Sequence, residues 1–166
     1  PKAFNKLKIE PDVYAINNEI EVPTSGGHLQ GVQLATINGK SKLLISGSSL
    51  HKSYIVQADI SNQKVEKLIT LMDEPFRHAG GFQVSEPFLA VGIEDNQSKI
   101  ISKVCVYNYI KEDFSTTKAI LIIEREGEPK MKTAGTTGIL ALENTNYLMV
   151  VSNWDSRNWD FYTFDS

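Results

Sequence analysis

The residues of this chain that could do chemistry come in repeated pairs. His28 opens the stretch H-L-Q-G-V-Q, and His78 opens H-A-G-G-F-Q at an offset of 50 residues, so histidine, glycine and glutamine recur in the same places. Imidazole is the commonest metal ligand and titrates near neutrality. Two histidines at equivalent positions could therefore share a ligand or a divalent ion. Gln33 and Gln83 recur with them and offer amide contacts to a polar ligand. Glu94 and Asp95 are adjacent acids that could bind a cation or act in acid–base work. Trp154-Asp155, with Arg157 and Trp159 close by, could present an aromatic surface to a sugar or a partner. A metal-assisted hydrolase or lyase would draw on His28, His78 and Glu94 or Asp95 around a divalent ion.

Each of these residues also has a plain structural explanation. Repeated histidines can hydrogen-bond neighbouring loops and fix a repeat, with the glycines after them giving the backbone room at a crowded place. The glutamines can line a polar channel, the paired acids can sit on a solvated turn, and the tryptophans can pack between repeats. Thr133 stands at the third position of the series and cannot complete a histidine cluster. His51 reads as a solvated turn residue. Cys105, the single cysteine, lies in the apolar run 104–107 and reads as a buried, inert thiol. No G-x-S-x-G elbow, H-E-x-x-H helix, Walker loop, Rossmann fingerprint or EF-hand loop is present. No cofactor is indicated beyond the divalent metal that the histidines would admit.

What must position these residues is a set of short strands. The chain has 166 residues, 41% hydrophobic and 22% charged, with a net charge of −3. This is the composition of one globular domain. Acids and bases are mixed along the length without a basic cluster, which argues against nucleic acid as a partner. No apolar run approaches the roughly 20 residues of a membrane-spanning helix, so a soluble chain without a membrane partner is expected. The chain begins at Pro1 and carries no information on a leader; a secreted or periplasmic location is the expectation entertained.

Alternation of apolar and polar residues marks strands near 31–37, 42–46, 54–60 and 64–71, with Asn38-Gly39 as a strong hairpin signal. The plan recurs at 81–84, 88–93, 100–109 and 118–124, and then in shortened form at 133–139, 147–151 and 160–164. No window keeps a helical apolar stripe free of glycine, proline or β-branched crowding. An all-β chain of about three four-stranded antiparallel meanders is expected, with repeats at 28–72, 78–124 and 133–166. A compact β-sandwich is the alternative. A further strand over 13–22 could complete the last repeat.

The His-x-x-Gly-x-Gln openings at 28 and 78, the second strands FLAV (88–91) and YLMV (147–150), and the third-strand endings VQADI (56–60) and FYTFD (161–165) resemble blade repeats of uncharacterised bacterial β-propeller proteins. The resemblance covers most of residues 28–166. It is not to the WD40 type, because neither Trp-Asp pair recurs in the earlier repeats. It implies that His28 and His78 enter innermost strands on neighbouring blades, at one mouth of the channel. Propellers usually have about 4 to 8 blades, so three imply either a six-bladed ring of two chains or further blades in a longer chain. The function expected is a binding module for a small molecule, glycan or protein through the loop face or channel mouth. A metal-assisted hydrolase or lyase, and a purely architectural domain, are the alternatives.

Overall fold

A computed structural model of the chain describes residue 6 and residues 9–110, 118–143 and 145–165. Among them there is no α-helix, and none is therefore long and apolar enough to cross a membrane. The strands are β1 (Leu29–Ile37), β2 (Lys40–Ser48), β3 (Lys52–Asp59), β4 (Lys64–Asp73), β5 (His78–Ser85), β6 (Phe88–Glu94), β7 (Ile101–Asn108), β8 (Leu121–Glu126), β9 (Thr136–Ala141), β10 (Asn146–Ser152) and β11 (Trp159–Asp165). They form three antiparallel meanders: β1–β4, β5–β8 and β9–β11. The all-β expectation and the order of the strands hold. Asn38-Gly39 turns the first hairpin with both residues at positive φ, the backbone that a two-residue turn needs.

Single-residue bridges join the meanders at their inner ends, Ser48 to His78 and Gly81 to Thr136. Apolar clusters fill the spaces between successive meanders. Leu44, Ile55 and Ile69 of the first pack against Leu89, Val91 and Ile93 of the second. From the other face of the second, Phe88, Ala90 and Val104 pack against Ile139, Met149 and Val151 of the third. Strand β6 is consequently buried at every position, and its successive side chains point alternately into the two clusters. This is a stack of three meanders, not the two-sheet sandwich entertained from the sequence.

The segment 13–22 is a second correction. It forms no strand and does not reach β11. Its one bridge is parallel, from Asn17 to Lys64 on the outer strand of the first meander. Ile16, Ile20 and Val22 cover Tyr54, Val56, Ala58 and Val65 on the free face of that meander. Burial of apolar area, not pairing with the last repeat, decides where this segment lies.

The inner ends of the second and third meanders approach to backbone contact. Gly81 N–H donates to Gly135 O (2.9 Å) and Gly135 N–H to Ser152 O (3.0 Å). A Cβ at Gly92 would stand 2.2 Å from Ala134 O and 2.7 Å from Ala134 Cβ. Nothing flexible lies there to yield. Gly92→Ala is therefore expected to destabilise the chain by about 3 kcal/mol, lowering the unfolding midpoint on the order of 10 °C; an unchanged midpoint in thermal unfolding would refute this close approach.

Candidate ligand-binding site

Where the meanders meet at this inner end, a cleft of about 450 Å³ opens to solvent. His28, His78, Glu94, Trp154 and Asp155, separated by up to 127 positions, all line it. The fold brings them together because the strands that carry or adjoin them are stacked with their corresponding ends on one side.

His78 begins β5 and faces Glu94, the last residue of β6, in register. Both are buried, His78 with 7% and Glu94 with 3% of its surface exposed. Glu94 Oε2 accepts the Ala134 N–H at 2.9 Å, which ties the second meander to the third. Its Oε1 lies 3.7 Å from His78 Nε2, beyond hydrogen-bond reach. Neither ring nitrogen of His78 has a hydrogen-bond partner among the described residues. The His28 ring stands edge-on to the His78 ring with centroids 5.3 Å apart. Burial lowers His78 to about 4, with the His28, Arg77 and Lys99 charges acting the same way. Burial also raises Glu94, against the opposing pull of the Ala134 N–H and of Lys99 and Arg125. At neutral pH His78 is a neutral ring.

The far wall of the cleft is a loop held by partners the sequence did not mark. Thr133, in the place of a third histidine, accepts the Trp154 N–H on its Oγ1 at 2.7 Å. Asn153 Nδ2 donates to Lys130 O at 3.0 Å, and Lys130 N–H donates to Lys99 O at 2.7 Å. Arg125, buried at the end of the second meander, donates to Thr133 O at 2.8 Å and pairs with Asp160 at 2.7 Å. The Trp154 ring carries two ammonium groups, Lys99 Nζ at 3.8 Å and Lys130 Nζ at 4.7 Å from its centroid. Such contacts are each worth roughly 0.5–1 kcal/mol at exposed sites. The indole is thus partly exposed, not packed between meanders, and seats both lysines.

Gln33, Gln83 and Asp95 lie outside the cleft. Gln33 Oε1 accepts the Val84 N–H at 2.9 Å and Gln83 Oε1 accepts the Ile139 N–H at 2.8 Å, so each glutamine clasps the next meander outside the cleft. Asp95 caps its own turn, accepting Gln97 N–H, Ser98 N–H and Ser98 Oγ–H, and does not line the cleft. Asp155 is paired with Arg157 at 3.4 Å. Among the described residues no group of three His, Cys, Asp or Glu is placed to hold a metal ion, so His28, His78 and the two acids do not assemble the centre a metal-assisted hydrolase would need. His51 is exposed beside Glu74. Cys105 is buried and raised to about 11 by that burial. It is no nucleophile at neutral pH.

His78 gives a pH signature. Its ordinary value is 6.5 and its folded value about 4, so between these the unfolded chain binds the extra proton. Stability from this residue is full above about pH 6.5 and is lost as the pH falls towards 4, by about 3 kcal/mol in all. Glu94 acts in the opposite sense, because its raised folded value weakens stability as pH rises through it. In urea titrations from pH 7 to 4, His78→Gln should lose less stability than the wild type by about that amount; parallel curves would mean that His78 charges freely against Glu94.

Comparison with models of known protein families, with curated proteins and with solved structures finds no match for this chain.

Proposed function

We propose that the three meanders are blades of a β-propeller, that the cleft is one mouth of its channel, and that the chain is a binding module for a small polar ligand, a small molecule or the end of a glycan, taken up there. One observation carries the binding reading. His78 and Glu94 are largely buried side by side, 3.7 Å apart, and yet both line the open cleft, with no protein group among the described residues hydrogen-bonded to the His78 ring or to Glu94 Oε1. These atoms meet the solvent of the cleft, where a polar ligand can replace water as their partner. The volume lies within the roughly 300–1,000 Å³ usual for such sites.

Backbone strain at the same place supports the reading. Among the described residues seven other than glycine have positive φ, and three of them, Lys99, Asp155 and Ser156, line the cleft. Each costs of order 1–3 kcal/mol, and such residues gather at functional sites. Filling the cleft tests the reading directly. Gln30 is exposed at its rim, so Gln30→Phe should leave the unfolding midpoint unchanged and weaken binding of any saccharide found by calorimetric screening at least tenfold; binding that survives would move the site elsewhere.

A propeller reading also needs more blades. The outer face of the third meander exposes Phe161 (65%) with Leu140 and Trp159, and the first meander exposes Val32 (63%) and Leu34 (58%) beyond the N-terminal segment. These faces repeat the apolar pattern that packs the meanders inside the chain. A second copy would close both in a six-bladed ring, and further blades of a longer chain would cover them equally. Light scattering distinguishes the two. A dimer that dissociates on Phe161→Asp supports the two-chain ring, and a monomer that folds with the wild-type sequence refutes it.

A further inference from the structure

We infer that the ligand of this cleft is a sugar acid, a polyhydroxylated ring bearing a carboxylate, and that Lys99 and Lys130, gathered on Trp154, are its anion contact. The inference rests on the binding reading above and adds the ligand's charge. Two ammonium groups are drawn to one indole, Lys99 at 3.8 Å and Lys130 at 4.7 Å from its centroid. Neither makes an ion pair among the described residues, although Glu94, Asp95 and Asp155 are near. Glu94 spends one oxygen on Ala134, Asp95 caps its turn, and Asp155 holds Arg157. Of the carboxylates that line the cleft, Glu94 gives one oxygen to Ala134 N–H and Asp155 is paired with Arg157, while Lys99, in the same lining, and Lys130, on the Trp154 ring beside it, make no ion pair among the described residues.

Bringing like charges onto one ring is unfavourable by Coulomb repulsion unless something negative offsets it. The arrangement is nonetheless enforced from both sides. Lys99 and Lys130 both sit at positive φ, at 59° and 70°, and their turns are joined by the Lys130 N–H to Lys99 O bond. The tie that continues through Asn153 leads into the loop that presents Trp154. A carboxylate at the rim would accept charge-assisted hydrogen bonds from both lysines.

The rest of the cleft favours hydroxyl groups over an aromatic base. The lysines put positive charge at the indole, which favours an anionic group there. His78 and the free oxygen of Glu94 within, and the exposed Thr136 and Asn96 at the edge, offer donors and acceptors in place of apolar walls.

Calorimetry on the full chain tests this with three probes: a glucuronate-terminated disaccharide, its glucose-terminated twin, and acetate. The acidic disaccharide is expected to bind at least tenfold more tightly than its neutral twin at low salt, and the ratio of the two affinities is expected to fall to about one in Lys99→Gln/Lys130→Gln. Equal affinity for the two disaccharides in the wild type would overturn the sugar acid and leave the binding module standing. Acetate binding as tightly as the acidic disaccharide would overturn the sugar. Binding of neither disaccharide would overturn the sugar acid; should a broader screen then find a polar ligand lost on Gln30→Phe, the binding module alone would survive.

Discussion

The site depends on one close approach, that of residues 133–136 to the inner ends of β5 and β6. Backbone meets backbone there, through Gly81 N–H to Gly135 O and through the contact of Gly92 with Ala134. Only a residue without a side chain fits at position 92. From this seam three consequences follow. Ala134 N–H reaches Glu94 and holds its carboxyl at the cleft. Thr133 reaches Trp154 N–H and fixes the opposite wall. His78, closed in from the third meander's side, is largely desolvated, which lowers its basicity.

The same seam separates two histidines that the sequence presents as equals. His28 and His78 open matching stretches, yet His28 is exposed and His78 is buried. The difference lies in what flanks them. His78 begins the middle meander, which is covered on both faces, whereas His28 begins the first, whose free face carries only the N-terminal segment. A repeated residue therefore acquires its chemistry from its neighbours in the stack, which no spacing along the chain encodes.

Much of the architecture was legible for a physical reason. Period-two alternation, the Asn38-Gly39 turn and the 50-residue offset are local signals, and local signals suffice to mark strands and their order. The burial of β6 on both faces is visible in F-L-A-V-G-I once the meanders are stacked. The segment 13–22 misled because V-Y-A-I-N-N-E-I-E-V carries strand-forming residues, while its position is decided by apolar cover for the first meander and not by a ladder. Lys99 and Lys130 were invisible, since neither their positive φ nor their reach to Trp154 has a sequence signature. Gln33 and Gln83 were seen as a pair but given the wrong task. Their oxygens satisfy backbone N–H groups of the adjacent meander, a need that appears only once the inner strands lie side by side.

The cleft lies where the repeats stop matching. A residue required by the repeat itself should occur in every copy, as the inter-meander glycines nearly do. At the cleft the copies diverge: the histidine of the first two becomes Thr133 in the third, the second strands end in Ser48, Glu94 and Ser152, and the loop carrying Trp154 (153–158) is longer than the corresponding link 49–51 of the first meander. Architecture explains what is shared among copies. It does not explain why a buried carboxyl, a buried imidazole and two lysines without an ion pair among the described residues should collect at a place where the copies differ; the ligand proposed above would.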